Sequence, residues 1–248
     1  MRKVLLVTGG SRGIGAATCL LAAQKGWAVA VNYTAHPNAA DDVVAQITKA
    51  GGEAMSVQAD VANEEQVLAM FQKVRSTLGP LKGLVNNAGV VDVSARLDQM
   101  SLARWRRMFD INVLGSMLCA REAIRQMSTL HGGNGGSIVN LSSAAARLGA
   151  PGQYLDYAAA KGAIDSFTLG LSKEVAAEGI RVNAIRPGLI DTEIHASGGL
   201  PNRVKDLEHL VPAKRGGTAM EVAQAIVWLL SDEASYTTMS LLDVSGGR

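Results

Sequence analysis

Cysteine is scarce in this chain of 248 residues: there are two, Cys19 and Cys119, a hundred residues apart. Neither forms a CxxC pair, and His36, His131, His195 and His209 are scattered without ligand spacing. The sequence therefore offers no disulfide framework and no metal site, and two buried free thiols in a reducing compartment are expected. Aromatic residues make up only 4%, and no basic run or aromatic platform is present. Lys and Arg number 24 against 22 Asp and Glu, a net charge of +2, which leaves nothing to attract nucleic acid or an anionic membrane. No apolar run approaches the roughly 18 residues of a membrane span. The start, Met-Arg-Lys followed by apolar residues 4–7 and then Thr8-Gly9-Gly10, is too short for the core of a signal peptide. A soluble cytoplasmic protein is expected.

The chain is rich in small residues, with 27 glycines and 48% hydrophobic content, enough for one sizeable core. Short apolar, β-branched runs at 4–7, 28–31, 54–57, 84–86, 137–141, 182–185 and 241–244 predict seven strands. Being almost continuously apolar, they suit a parallel sheet covered on both faces. Helical stretches fall between them near 13–26, 38–50, 63–78, 101–129, 155–178 and 218–231. Asn63-Glu64-Glu65-Gln66 and Thr218-Ala219-Met220-Glu221 read as capping boxes. Alternating units of this kind wind into an α/β doubly wound sheet. No repeat or linker divides residues 1–248, which are read as one dinucleotide-binding domain. Residues 190–217 have weak periodicity, with Gly198-Gly199, Pro201, Pro212 and Gly216-Gly217, and read as a substrate lid within it.

Two segments point to chemistry. The first strand runs directly into Thr8-Gly9-Gly10-Ser11-Arg12-Gly13-Ile14-Gly15, which opens the first helix. Glycines there let backbone amides approach a pyrophosphate, although a tight turn alone gives the same pattern. Further on, Tyr157-Ala158-Ala159-Ala160-Lys161 sets a phenol and an ammonium one helical turn apart. Such a pair is common on helix surfaces. Beside a dinucleotide loop it becomes an acid/base candidate, because a neighbouring ammonium lowers the phenol pKa from about 10.

These two segments, with Asp60-Val61, Asn86-Asn87-Ala88-Gly89, Asn112, Ser142-Ser143 and Arg186-Pro187-Gly188-Leu189-Ile190-Asp191-Thr192, stand in an order and spacing that resembles the short-chain dehydrogenase/reductase family over essentially the whole chain. The resemblance implies a Rossmann fold with helices on both faces of a seven-stranded parallel sheet. It also implies that Tyr157 donates and accepts the proton, that Ser143 orients the substrate oxygen, that Lys161 holds the nicotinamide ribose and lowers the Tyr157 pKa, and that Asn112 supports a water-linked proton relay. Cofactor contacts are expected from Gly9, Ser11, Arg12, Gly13, Ile14, Gly15, Asn32, Tyr33, Thr34, Asp60, Val61, Asn87, Ala88, Gly89, Tyr157, Lys161, Pro187, Gly188, Ile190 and Thr192. Asp60 is either an acceptor for the adenine amino group or a helix cap. Adjacent residues at a strand end point to opposite sides, so only one of Ser142 and Ser143 faces the substrate. Ser143 is the choice here. Tyr154 has no lysine four residues on and is expected to line the pocket.

The cofactor is expected to be NADP(H). The second strand ends Asn32-Tyr33-Thr34 with no acid before Asp41 to accept from ribose hydroxyls, and Arg12 is a basic residue placed for a 2′-phosphate. Hydride transfer between nicotinamide and a small carbonyl or secondary alcohol is the expected reaction. Rival readings are a dinucleotide-binding sensor without turnover, an epimerase or dehydratase, a sugar dehydrogenase, and a 3-oxoacyl thioester reductase. In reductases that act on acyl carrier protein, the family pattern places basic residues where this chain has Glu178 and Asn134, so no steering of an acidic carrier is expected. Residues near 101–129 and 155–178, among them Ala158, Ala159, Ala163, Phe167, Leu171 and Val175, are apolar on more than one face, which predicts a homotetramer or at least a dimer. Met100, Met108, Met117 and Met127 read as core or interface filler, Trp228 as core, and Arg104, Arg106 and Arg107 as a solvated or subunit-contacting face.

Overall fold

Uninterrupted aliphatic side chains dominate the strands of the computed structural model, which describes residues 3–248. The strands are β1 (Lys3–Val7), β2 (Trp27–Tyr33), β3 (Ala54–Gln58), β4 (Leu81–Asn86), β5 (Gly136–Leu141), β6 (Ile180–Pro187), the two-residue β7 (Ile190–Asp191) and β8 (Gly217–Thr218), and β9 (Leu241–Val244). All but β7 and β8 form one seven-stranded parallel sheet in the order β3-β2-β1-β4-β5-β6-β9.

Successive strand side chains point to opposite faces, so each face needs its own cover. Val4 and Leu6 pack on one side with α3 (Glu64–Leu78), α5 (Gly115–Met127) and α7 (Leu155–Val175). Leu5 and Val7 pack on the other with α1 (Gly13–Gln24), α2 (Pro37–Lys49) and α10 (Ala219–Leu230). Full burial of one such side chain stabilises by about 1.5–3 kcal/mol, which an open face would forfeit along its whole length. The remaining helices are α4 (Leu102–Phe109) and the short α6 (Ala145–Leu148), α8 (Ile194–Ser197) and α9 (Arg203–Leu207). Strand order reverses between β1 and β4, and a doubly wound sheet opens its binding crevice there, at the strands' carboxyl ends.

The seven strands lie where the apolar runs place them, and several local expectations are corrected. The single helix expected over 101–129 is α4 and α5 joined by a π-turn, Asp110–Leu114. Thr218 forms its capping box with Glu221, but the box at Asn63 is only half made. Asn63 accepts from the Gln66 amide, while the Gln66 side chain accepts from the amide of Asp60 instead of returning to Asn63. Trp228 is 40% exposed, because α10 turns Ile226, Val227, Leu229 and Leu230 inward and leaves it on the outer face. Arg104 is not a surface charge: its side chain is 9% exposed and paired with Asp156. Both cysteines are free and buried, and burial pushes both thiols up. Among the described residues no helix is long and apolar enough to cross a membrane, and no cluster of three or more metal-ligating side chains occurs.

Candidate active site

The loop after β1 is held by its neighbours' side chains. Thr8 Oγ1 accepts from the amides of Asn87 and Ala88, both at 3.0 Å. Asn87 Nδ2 donates to the carbonyls of Thr8 and Gly9, both at 2.9 Å. Asn32 accepts from the Gly9 amide at 3.1 Å and donates to Val57 and Ala59 carbonyls across the β2–β3 edge. Its amide is thus committed to the scaffold, and Asn32 is buried. Gly9 and Gly13 have φ of +60° and +52°, a region that favours glycine. A Cβ on Gly15 would lie 2.3 Å from the Gly9 carbonyl, so the loop closes this tightly only with glycine.

The loop leads into α1, whose cap residue Arg12 makes no side-chain cap and whose first turn carries no acidic residue. With no acid in its own first turn, this helix start offers open amides and positive polarity to a pyrophosphate, and Glu193 Oε2 lies 3.6 Å from where a Gly13 Cβ would stand. Ser11, Ile14 and Thr192 flank the opening, and Thr192 comes within 3.3 Å of where a Gly13 Cβ would stand. Arg12 and Thr34 are exposed and Tyr33 half-buried at the end of β2. Asp60 Oδ1 accepts from the Ala62 amide at 3.0 Å, a local turn that leaves its second oxygen for other partners. Val61 is buried and packs where Gly115 leaves room for it. These residues fit a dinucleotide.

The π-turn explains the position of Asn112. A π-turn inserts a residue into α-helical winding and leaves local carbonyls short of their usual donors. The Asn112 side chain answers this by donating to the Met108 carbonyl at 3.0 Å and to the Val90 carbonyl at 3.0 Å, and it accepts from the Val90 amide at 3.2 Å. The segment after β4 is thereby fixed against the turn. Gly89 is the contact point: a Cβ there would stand 2.7 Å from Asn112 Oδ1 and 3.6 Å from Lys161 Nζ.

Ser142 and Ser143 follow β5 and diverge. Ser142 is buried and donates to the Lys161 carbonyl at 3.2 Å, behind α7. The Ser143 hydroxyl accepts from the Ala145 amide at 3.1 Å and meets the Tyr157 phenol. Lys161 Nζ donates to the Leu141 carbonyl at 2.6 Å and lies 5.5 Å from the centre of the Tyr157 ring. Burial pushes the Lys161 ammonium down to about 8, against the pull of the Asp165 carboxylate. Burial also holds the Tyr157 phenol above its ordinary value, opposed by Ser143 and by the charge of Arg203. This balance differs from the expected lowering of the phenol by Lys161, because the ammonium is turned toward the β5 carbonyl.

Ser143, Tyr157, Lys161 and Asn112 line one cavity of about 420 Å³, together with Ile14, Asn87, Gly89, Pro187, Gly188, Ile190 and Thr192. Tyr154 lines it too, donating to the Gly198 carbonyl at 3.3 Å. Residues 192–216 arch over it, and β7 and β8 pair at Ile190–Gly217 and Asp191–Thr218 to close the arch at its base. Sequence reasoning missed two cationic wall residues, Arg203 on α9 and Arg248. No local pattern surrounds either; only the folded arch brings them in. Glu178 and Asn134, at the positions where carrier-protein reductases place basic residues, precede β6 and β5, at the opposite ends of those strands from Ser143. Glu178 there accepts from Ser128, and the Asn134 carbonyl accepts from Lys82.

A family model described as enoyl-(acyl carrier protein) reductase matches residues 9–248. The uncharacterized oxidoreductase YgfF of Escherichia coli is 56% identical over 245 residues, covering 99% of both chains. A cis-4-hydroxycyclohexanecarboxylate dehydrogenase of Sinomonas cyclohexanicum is 40% identical, over 99% of this chain and 96% of its own. A doubly substituted short-chain dehydrogenase/reductase of Serratia marcescens superposes with a TM-score of 0.91 at 33% identity, covering 99% of this chain and 97% of that one. The chain belongs to the short-chain dehydrogenase/reductase family of oxidoreductases, which use nicotinamide dinucleotides.

Proposed function

We infer that the chain interconverts a small carbonyl compound and its secondary alcohol with NADP(H), Tyr157 serving as acid and base. The observation that carries this reading is the meeting of the Ser143 and Tyr157 hydroxyls in one cavity, with Lys161 beside the phenol ring. The bound dinucleotide supplies the hydride for reduction and takes it up in oxidation. Charge then develops on the substrate oxygen, where two hydroxyls aimed at one point stabilise it. Ser143 donates without giving up its proton, and Tyr157 delivers its own. A phenol held above its ordinary pKa stays protonated near neutrality and is stocked as the acid for reduction. Asn112, Gly89 and Lys161 converge on one side of the site, which supports a relay that returns the proton to Tyr157.

The phosphorylated cofactor is favoured by the β2 end, Asn32-Tyr33-Thr34, which carries no acid, and by exposed Arg12, which has no ion-pair partner among the described residues. Asn32 and Asn87 act here as positioning residues that hold the glycine loop. Residues 190–217 serve as the lid. Leu102, Phe109, Leu114 and Met117 around the π-turn, with Leu155 and Leu169 on α7, are exposed and form the surface on which a homotetramer assembles. Two unpaired thiols suit a cytoplasmic setting.

The test is a panel of ketones, keto thioesters, quinones and sugars followed by NADPH absorbance. Tyr157→Phe is expected to lower turnover of any active compound by about two to four decades while NADPH still binds. Near-normal turnover by this variant overturns the assignment. A light-scattering mass near the 25.9 kDa of one chain at micromolar concentration overturns the tetramer.

A further inference from the structure

Arginines with buried guanidinium atoms in this molecule are mostly spoken for. Arg104 pairs with Asp156, Arg186 pairs with Asp165, and Arg181 donates to the carbonyls of Leu229, Ser231 and Thr237. Arg203 differs. Its guanidinium lies over the Tyr154 ring at 5.0 Å, and its Nη1 is wholly buried with no hydrogen-bond partner among the described residues. A buried charged donor without an acceptor costs more than almost any other single polar group, so its retention calls for an acceptor that arrives from outside.

The surroundings say what kind. Arg203 faces the active-site cavity, whose lining includes the cationic side chains of Lys161, Arg203 and Arg248 and, among the described residues, no aspartate or glutamate. The wall is therefore built for an anion. Arg203 sits against Tyr154, at the start of α7 and three residues before Tyr157, and its charge is felt at the Tyr157 phenol. An anion bound there lies close to the reacting carbon but not on it. The glycine loop meets the arch elsewhere, at Thr192 and Glu193, so the pyrophosphate and Arg203 address separate places. A cavity of about 420 Å³ that also takes the nicotinamide end leaves room only for a compact molecule. A planar carboxylate suits the forked guanidinium, which is itself oriented by the Tyr154 ring.

Building on the reductase reading above, we propose that Arg203 is the carboxylate-binding residue for the substrate, and that the chain acts on small oxo or hydroxy carboxylates. The carboxylate sits on the Arg203 guanidinium, and the carbonyl oxygen a few bonds away lies between Ser143 and Tyr157.

The experiment compares 4-oxopentanoate, 5-oxohexanoate and 3-oxocyclopentanecarboxylate with their methyl esters, in the wild type, Arg203→Met and Arg203→Lys. For the acid with the fitting spacing, the wild type is expected to prefer acid to ester by about ten- to a hundredfold in kcat/KM, carried mainly by KM. Arg203→Met erases that preference and Arg203→Lys restores part of it. NADPH affinity, titrated by fluorescence, stays the same in Arg203→Met; a large loss there means that Arg203 serves a cofactor phosphate and overturns the proposal. Binding of unreactive pentanoate against pentanamide, measured by calorimetry on the NADP-loaded protein, separates the two layers of inference. Arg203-dependent binding of pentanoate alone, with no turnover of any ketone, retains the carboxylate site and rejects the reductase. Ketone turnover that depends on Tyr157, with acids and esters reduced alike and pentanoate bound no better than the amide, retains the reductase and rejects the carboxylate site.

Discussion

Arg104 grips Asp156 at two points, Nε to Oδ2 at 2.7 Å and Nη2 to Oδ1 at 3.1 Å, and the same Oδ1 accepts from the Tyr157 amide at 3.0 Å. The pair is almost dry, with Asp156 1% exposed, and Arg104 Nη1 also donates to the Val93 carbonyl at 2.6 Å. One guanidinium thus joins α4, the segment after β4 and the first turn of α7. Removing one partner of a buried pair strands the other, at a cost of about 3–5 kcal/mol. Asp156→Asn and Arg104→Met are each expected to lose about that much in urea unfolding, whereas Arg106→Ala, on the exposed face, stays within roughly 0.5 kcal/mol. Equal midpoints for Arg104→Met and Arg106→Ala would show that the pair holds nothing.

The two serines give opposite signatures. Ser143→Ala is expected to lower kcat by about a hundred- to a thousandfold with little change in stability, as loss of an oxyanion donor does. Ser142→Ala removes a buried hydroxyl that donates to the Lys161 carbonyl. It costs about 1 kcal/mol of stability and leaves kcat within a few-fold. Reversal of the two in a steady-state assay would mean that the catalytic hydroxyl belongs to Ser142.

Lys161 gives the pH dependence its sign. Burial places the ammonium near 8, so it is charged below that value and neutral above it. Reductive kcat/KM is expected to hold on the acid side and to fall as pH rises through about 8, where both the ammonium and its effect on the Tyr157 ring are lost. Arg stays charged across this range, so any activity left in Lys161→Arg loses this alkaline limb. A flat wild-type profile from pH 6 to 10 contradicts the assignment.

Arg12, the cap residue of α1, is expected to set the cofactor selectivity. It is exposed, while Asn32, beside the glycine loop, is occupied with Gly9, Val57 and Ala59. Arg12→Ala is expected to weaken NADPH by about tenfold and leave NADH nearly unchanged in equilibrium titrations, the scale of one charge-assisted contact. Tighter binding of NADH than of NADPH by the wild type refutes the phosphate-binding role.

The sheet was legible because each strand is an apolar run bounded by turns, a signal that local sequence carries in full. The glycine loop and the Tyr157–Lys161 pair were legible for the same reason: each is a short motif on one element. Contacts between distant elements left no such trace. Arg104 and Asp156 are 52 residues apart, and no periodicity links them. Arg203 looks like any solvated arginine until the arch folds over Tyr154. Trp228 was misread because apolar neighbours on both sides suggested core, whereas helical rotation exposes one residue of such a run. Asn32 was expected among the cofactor contacts from the family resemblance, and the folded chain shows its side-chain amide bonded to Gly9 and Ala59, contacts that no local pattern announces.

The π-turn also decides where this chain tolerates a change of length. The turn holds one residue more than ordinary winding needs, so removing one between Asp110 and Leu114 would restore α-helical hydrogen bonding and leave α5 facing as it does. Cys119, Ala123 and Met127 would stay against the sheet, but Asn112 would lose its reach to Val90. A displaced site within an intact core would follow from one deletion. Insertions and deletions belong instead at turns such as Gly26 and Gly51, where even an added Cβ meets nothing within 4 Å.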